Sequence, residues 1–142
     1  MTIATILAAK GDEVVTLDAN HKVADAIALL HERRIGAVPV MQNGQVAGIF
    51  SERDVIHCMA TKGTAGLEVT VGEVMTAPPI TVGRGEPALS ALALMTQRRI
   101  RHLPVVEDGR LVGFVSIGDL VKYRIDRIEA DAEAMRSYIQ TA

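Results

Sequence analysis

Two short segments of the 142-residue chain carry side chains able to do chemistry where a strand gives way to a helix. They are Gly48-Ile49-Phe50-Ser51-Glu52-Arg53-Asp54 and Gly113-Phe114-Val115-Ser116-Ile117-Gly118-Asp119. Ser-x-x-Asp at such a junction has a plain structural reading. Serine is a good N-cap, and an acid three residues on reaches back to the backbone N–H of the cap. The same atoms have a chemical use. A helix N-terminus offers unpaired N–H groups to an anion. A serine hydroxyl there can donate to a phosphate, and an aspartate can accept from two vicinal ribose hydroxyls. Aspartate is a shorter box partner than glutamate, which leaves its carboxylate freer to meet a ligand. A second constellation is basic: Arg33-Arg34, Arg98-Arg99, and then Arg101 and His102. The helix macrodipole accounts for arginines at a helix end. Arg101 and His102 lead instead into an apolar strand. Side chains alternate there, so one of the two faces a cleft and can meet a phosphate.

The elements that must position these groups come from an internal repeat. Pro39-Val40 and Pro104-Val105 stand 65 residues apart, preceded by Arg33-Arg34-Ile35 and Arg98-Arg99-Ile100. The same offset relates Thr16 to Thr81, Gly44 to Gly109, Ser51 to Ser116 and Asp54 to Asp119, with no gap. Each copy reads β-α-β-β-α. A short strand (Val14–Leu17; Ile80–Val82) precedes a helix with an apolar stripe at i, i+3, i+4, i+7. The stripe is Val23, Ala26, Ile27 and Leu30 in one copy and Ala88, Ala91, Leu92 and Met95 in the other. Strands Ala37–Met41 and His102–Val106 then turn at Asn43-Gly44 and Asp108-Gly109, strong hairpin signals, into Val46–Phe50 and Leu111–Val115. The second helix of each copy starts at Ser51 or Ser116. The join Thr61–Gly66 reads as a Gly-rich loop, and Thr70-Val71-Gly72-Glu73 has the spacing of a capping box. From Val121 an apolar seam runs Val121, Ile125, Ile128, Ala132, Met135, Ile139, which predicts one long helix with a face for its own module or a second chain.

Composition narrows the function. Hydrophobic residues make up 49%, charged residues 23% and aromatics 3% with no Trp, so the core is aliphatic. The formal charge of −2 argues against a nucleic-acid module. The length excludes a TIM barrel, which needs about 200 residues or more. Cys58 is the single cysteine, which precludes an internal disulfide or a cysteine-based zinc site; mid-helix, it reads as a small buried hydrophobe. His21, His31, His57 and His102 have no metal-ligand spacing, and no catalytic set emerges. Gly83-Arg84-Gly85-Glu86-Pro87-Ala88 imitates a dinucleotide fingerprint. The matching turn Asp18-Ala19-Asn20 has no glycine, so Gly83 and Gly85 read as turn residues, with Pro87 in the first helical turn. The apolar stretch at the N-terminus has no basic leader, and Lys10, Asp12 and Glu13 follow it, so a short helix is expected. Charges interrupt every apolar run before the roughly 18 residues of a membrane span. A cytoplasmic protein with no membrane and no nucleic-acid partner is expected.

Two copies of Ile-x-x-x-Pro-Val, Asn/Asp-Gly and Gly-x-x-Ser-x-x-Asp, in register, make the chain similar to a tandem cystathionine-β-synthase (CBS) domain protein of the stand-alone bacterial type. The resemblance implies an α/β (α+β) fold in which two β-α-β-β-α repeats pack sheet to sheet into one pseudo-twofold module with a C-terminal helix. It implies a first domain over 1–66 including the N-terminal helix, a second over 67–125, and a helix over 118–142. It further implies a non-enzymatic module whose two clefts bind an adenosine nucleotide (AMP, ADP, ATP, NAD or S-adenosylmethionine), with no metal required. Carried over, one cleft uses Thr16, Gly36, Ala37, Val38, Pro39, Ile49, Ser51, Arg53 and Asp54. The other uses Thr81, Arg101, His102, Leu103, Pro104, Phe114, Ser116 and Asp119. Arg53 becomes Gly118 and Gly36-Ala37 becomes Arg101-His102, so the phosphate contacts of the two clefts differ. Lys10 is a candidate phosphate contact beside its plainer reading as an exposed helix-end lysine. A homodimer and an unidentified protein target are the expected partners. The rival reading is an interaction module with empty clefts. An enzyme such as inosine monophosphate dehydrogenase carries CBS pairs only as inserts, and its catalytic barrel is missing from this chain.

Overall fold

Each repeat is built on a hairpin whose turn the sequence dictates. The computed structural model describes residues 1–11 and 13–141. Asp12 and Ala142, the expected end of the last helix, lie outside the described residues. Strands β2 (Ala37–Gln42) and β3 (Gln45–Ser51) pair antiparallel, as do β4 (His102–Glu107) and β5 (Arg110–Ser116). Asn43, Gly44, Asp108 and Gly109 at the two turns all have positive φ, between 51° and 78°. That is the backbone of a tight hairpin turn, tolerated best by Asn, Asp and Gly. The register shifts at the same place in both hairpins, between Val40 and Met41 and between Val105 and Val106.

Each hairpin lies between two helices. Helix α2 (Val23–Arg33) buries Val23, Ala26 and Leu30, and α5 (Ala88–Arg98) buries Ala88, Ala91 and Met95, with Ile27 and Leu92 half-covered beside them. Both helices end on an arginine in the left-handed conformation, Arg34 and Arg99. Pro87 stands immediately before α5 instead of inside its first turn. After the hairpins come α3 (Glu52–Lys62) and α6 (Ile117–Thr141), the latter one unbroken helix of 25 residues.

Three expectations are corrected. The first strand is only β1 (Leu17–Asp18), which pairs parallel with Val40 and Met41, because β2 bulges and ends there. In the second copy the corresponding segment shrinks to one parallel bridge, Val82 to Val105, set between Pro79 and the turn at Gly83. The join expected as a loop is helical: α3 runs to Lys62 and a 3-10 helix follows over Gly63–Glu68. Its glycine serves close packing, since a Cβ on Gly66 would stand 2.7 Å from Cys58 Sγ. The box at Thr70 and Glu73 does start α4 (Val71–Val74).

The strands form a three-stranded sheet in the order β1-β2-β3 and a two-stranded sheet β4-β5, which approach each other along β3 and β5. Two apolar cores result, one around Val38, Val40 and Phe50, the other around Leu103, Val105 and Val115; the aromatic Phe50 is the exception to the expected aliphatic core. The leading segments cross over. Helix α1 (Ile3–Lys10), ahead of the first repeat, packs Ile3, Ile6 and Leu7 into the core of the second. Helix α4, ahead of the second repeat, packs Val71 into the core of the first. Backbone bonds fix both. Ile3 and Ala4 donate to the carbonyls of Glu86 and Arg84, as Val71 and Gly72 donate to those of His21 and Ala19. The Gly83–Pro87 turn therefore caps α1 through the carbonyls of Arg84 and Glu86.

The crossover makes a prediction. A Cβ on Gly48 would lie 2.7 Å from the Thr76 carbonyl oxygen and 2.7 Å from Met75 Sδ, whereas one on Gly85 meets nothing within 4 Å. In urea denaturation Gly48→Ala is expected to cost about 1–3 kcal/mol, and Gly85→Ala about 0.5 kcal/mol or less. Equal effects would show that the 75–76 segment does not lie on β3.

Candidate functional site

Strand alternation divides the predicted site residues into two sets. Ala37 stands opposite Ser51 and Pro39 opposite Ile49, on the face away from Val38, Val40 and Phe50. His102 stands opposite Ser116 and Pro104 opposite Phe114, away from Leu103, Val105 and Val115. Each copy thus gathers a proline, an apolar residue and the motif serine on one face. The side chains of Val38 and Leu103 turn fully into the cores. Thr16 and Thr81 are exposed and flank β1 and the Val82 bridge, respectively. Gly36 lies where the repeats meet, since its Cβ would be 3.6 Å from Glu52 Oε1 and 4.0 Å from His102 Cε1. An open cavity of about 500 Å³ beside it is lined by Leu30, His31, Arg34, Gly36 and Glu52.

Both Ser-x-x-Asp segments form capping boxes. Asp54 Oδ2 accepts from the Ser51 N–H at 2.8 Å and from its hydroxyl at 3.1 Å. Asp119 Oδ2 accepts from the Ser116 N–H at 2.8 Å, and the Asp119 N–H donates to Ser116 Oγ at 3.1 Å. The structural and chemical readings are compatible, because the box fixes each carboxylate through one oxygen and leaves lone pairs to spare. The neighbours of those carboxylates differ. Thr76 Oγ1 donates to Asp54 Oδ1 at 2.8 Å. Lys10 Nζ donates to Asp119 Oδ2 at 2.7 Å and to the Phe114 carbonyl at 2.6 Å. Lys10 is therefore not a free helix-end lysine. With its side chain 37% and that of Asp119 27% exposed, the pair contributes about 1 kcal/mol or less.

Arg53, assigned to the first cleft, reaches to the second repeat, where Nη1 donates to the Arg99 carbonyl at 3.3 Å. Arg101 is exposed, and His102 stacks on Phe114 with centroids 5.4 Å apart and planes 13° from parallel. Burial, then Lys10 and Arg101, hold the His102 imidazole below its ordinary pKa, against Asp119 and Glu52. Burial pushes Asp119 up, but the hydrogen bonds from Lys10 and Ser116 and the Lys10 charge outweigh it, so its carboxyl titrates below the ordinary range. Sequence reasoning missed Thr76 and Glu52. Pro78 and Pro79 follow Thr76 and bias the chain away from helix there. Thr76 pairs with Ile49.

Among the described residues, no group of three or more His, Cys, Asp or Glu is arranged to hold a metal ion, and no helix is long and apolar enough to cross a membrane. The family model for the CBS domain matches residues 10–61 and 71–126. The chain belongs to the CBS domain family. It is 32% identical over 148 aligned positions to the mitochondrial CBS domain-containing protein CBSX3 of Arabidopsis thaliana, covering 98% of this chain and 72% of that one. The CBS-domain protein ATU1752 of Agrobacterium tumefaciens superposes with a TM-score of 0.83 at 39% identity, over 87% of this chain and 92% of the other. The CBS pair of MJ0100, solved with 5-methylthioadenosine and S-adenosyl-L-methionine, gives 0.79 at 25% over 89% and 98%. CBSX2, solved with AMP, gives 0.70 at 26% over 80% and 89%. The two repeats are thus a CBS pair, each Ser-x-x-Asp box opening the last helix of a CBS repeat.

The low-titrating Asp119 sets the sign of a pH effect. Its stabilisation is complete above the ordinary carboxylate range and is lost as pH falls through the lower native value. The stability gap between wild type and Asp119→Asn is expected to be widest at neutral pH and to close in acid, read from urea midpoints across that range. A gap that does not change with pH would show that the charge of Asp119 is not what stabilises.

Proposed function

We propose that this CBS pair is a non-enzymatic regulatory module that binds adenosine nucleotides, AMP, ATP or NAD, in its two clefts. The observation that carries the reading is the duplicated arrangement of a proline, an apolar cross-strand partner and a box-held aspartate on one face of each hairpin. Pro39 and Pro104 are fully buried and back the face, while the half-buried Ile49 and Phe114 offer apolar surface to a purine. Asp54 and Asp119 offer fixed acceptors to a ribose diol, and the starts of α3 and α6 favour an anion. The adenosine ligands of MJ0100 and CBSX2 support the same class of ligand here. Occupancy would act by favouring one seating of the two repeats, which a protein target reads.

Titration calorimetry with AMP, ATP and NAD is expected to show binding to the wild type. Asp54→Ala and Asp119→Ala each remove an acceptor that meets charged or hydroxyl donors, and each is expected to weaken its cleft by about 10- to 100-fold. Absence of binding by every adenosine ligand would leave the interaction-module reading, which predicts partner capture that nucleotide does not alter.

The same module is proposed to be a homodimer. Helix α6 leaves Val121, Ile125, Ile128, Met135 and Ile139 between 43% and 66% exposed, at the spacing of a coiled-coil seam. An apolar stripe of this length on a regular helix matches a second copy of itself. Light scattering after size exclusion is expected to give twice the chain mass for the wild type and a monomer for Ile125→Glu with Ile128→Glu. A monomeric wild type would sink the dimer while leaving the nucleotide reading intact.

A further inference from the structure

At the second Ser-x-x-Asp box the carboxylate is already bonded by a group that the chain itself supplies. Leu7 of α1 lies under Gly113 of β5 as Met75 lies under Gly48 of β3. Beyond that point the copies diverge. In one, α4 has ended, the chain is extended, and the neutral hydroxyl of Thr76 meets Asp54. In the other, α1 continues to Lys10, whose ammonium lands on both Asp119 and the Phe114 carbonyl.

We propose that Lys10 is a tethered occupant of the second cleft that selects adenosine ligands bearing a 5′-phosphate. The inference rests on the adenosine reading of the clefts. Lys10 and the Ser116 N–H both bond Asp119 Oδ2, so a ribose diol that spans both carboxylate oxygens competes with the ammonium there. A bare nucleoside takes that partner and returns nothing, leaving a cation beside the half-buried His102 and near Arg101. A phosphorylated nucleoside returns an anion, and the lysine exchanges one partner for another. The partial exposure of Lys10 and its flexible four-carbon stem permit the exchange. In the first cleft a hydroxyl yields to a hydroxyl with no change of charge, so Thr76 gives no such preference.

The test is an NMR titration of the full chain with AMP and with adenosine. It follows the ring signal of Phe114 on β5 as the reporter of the second cleft, with that of His102, which stacks on it but also lies near Gly36, as a second signal. The wild type is expected to bind AMP at least about 10-fold tighter than adenosine there. In Lys10→Met the ratio is expected to fall to about 3-fold or less, with adenosine binding tighter than in the wild type. Lys10→Arg keeps the charge and is expected to keep the preference, which separates charge from folding. An unchanged ratio in Lys10→Met overturns the proposal and leaves the adenosine reading standing. If neither compound moves the His102 and Phe114 signals in any of the three proteins, while calorimetry still detects binding, the second cleft is not a site and the proposal fails. If calorimetry detects none either, both readings fail together.

Discussion

A helix that starts at the end of a strand leaves N–H groups without partners. Both copies meet this demand with the same four-residue device, in which an aspartate side chain accepts from the N–H of the serine that precedes the helix. The device ties three things to one bond. It sets where α3 and α6 begin, it holds a carboxylate at the end of β3 and β5, and it turns that carboxylate to the strand face away from the core. The hairpin fixes the rest. With Ala37 opposite Ser51 and His102 opposite Ser116, the serine cannot shift without slipping every pair behind it and moving Phe50 or Val115 out of the core.

Much of this was legible in the residues. Asn43-Gly44 and Asp108-Gly109 identify their turns because few side chains tolerate positive φ. The 65-residue register placed both boxes and both proline strands correctly, and the stripe on α2 and α5 identified their buried faces. The short strands were overextended, because apolar β-branched residues such as Val14 and Val15 look the same whether or not a partner strand reaches them. The Gly-rich join was misread because glycine signals freedom and close approach equally well, and Gly66 serves the second. At the clefts, residue types were enough to find the aspartates. They were not enough to show that Val38 and Leu103 face inward, that Arg53 reaches across to Arg99, or that Thr76 and Lys10 arrive from segments outside the matched register.

The two copies share a backbone and differ in electrostatics. Around Asp54 the neighbouring donor is a hydroxyl. Around Asp119 it is an ammonium, with a stacked His102 and Phe114 in place of an aliphatic surface. The divergence is carried by side chains at the rim and by the length of the leading helix, while both cores stay apolar, with Phe50 in one where Val115 stands in the other. One scaffold can in this way hold two unequal sites without any change in fold.

The exchange of leading helices has a consequence for how the chain acquires its structure. Ile3, Ile6 and Leu7 emerge before either repeat, and their burial, about 1.5–3 kcal/mol each, is available only after the hairpin of the second repeat exists. The first repeat likewise lacks Val71 until the chain has passed its own end. The first repeat is unfinished when its own residues have been made, and the second closes only on a helix made before the first. Folding is therefore governed by contacts of long sequence separation, which are slow to form, and the pair should be lost or gained as a single cooperative unit, with no natural place to cut it in two.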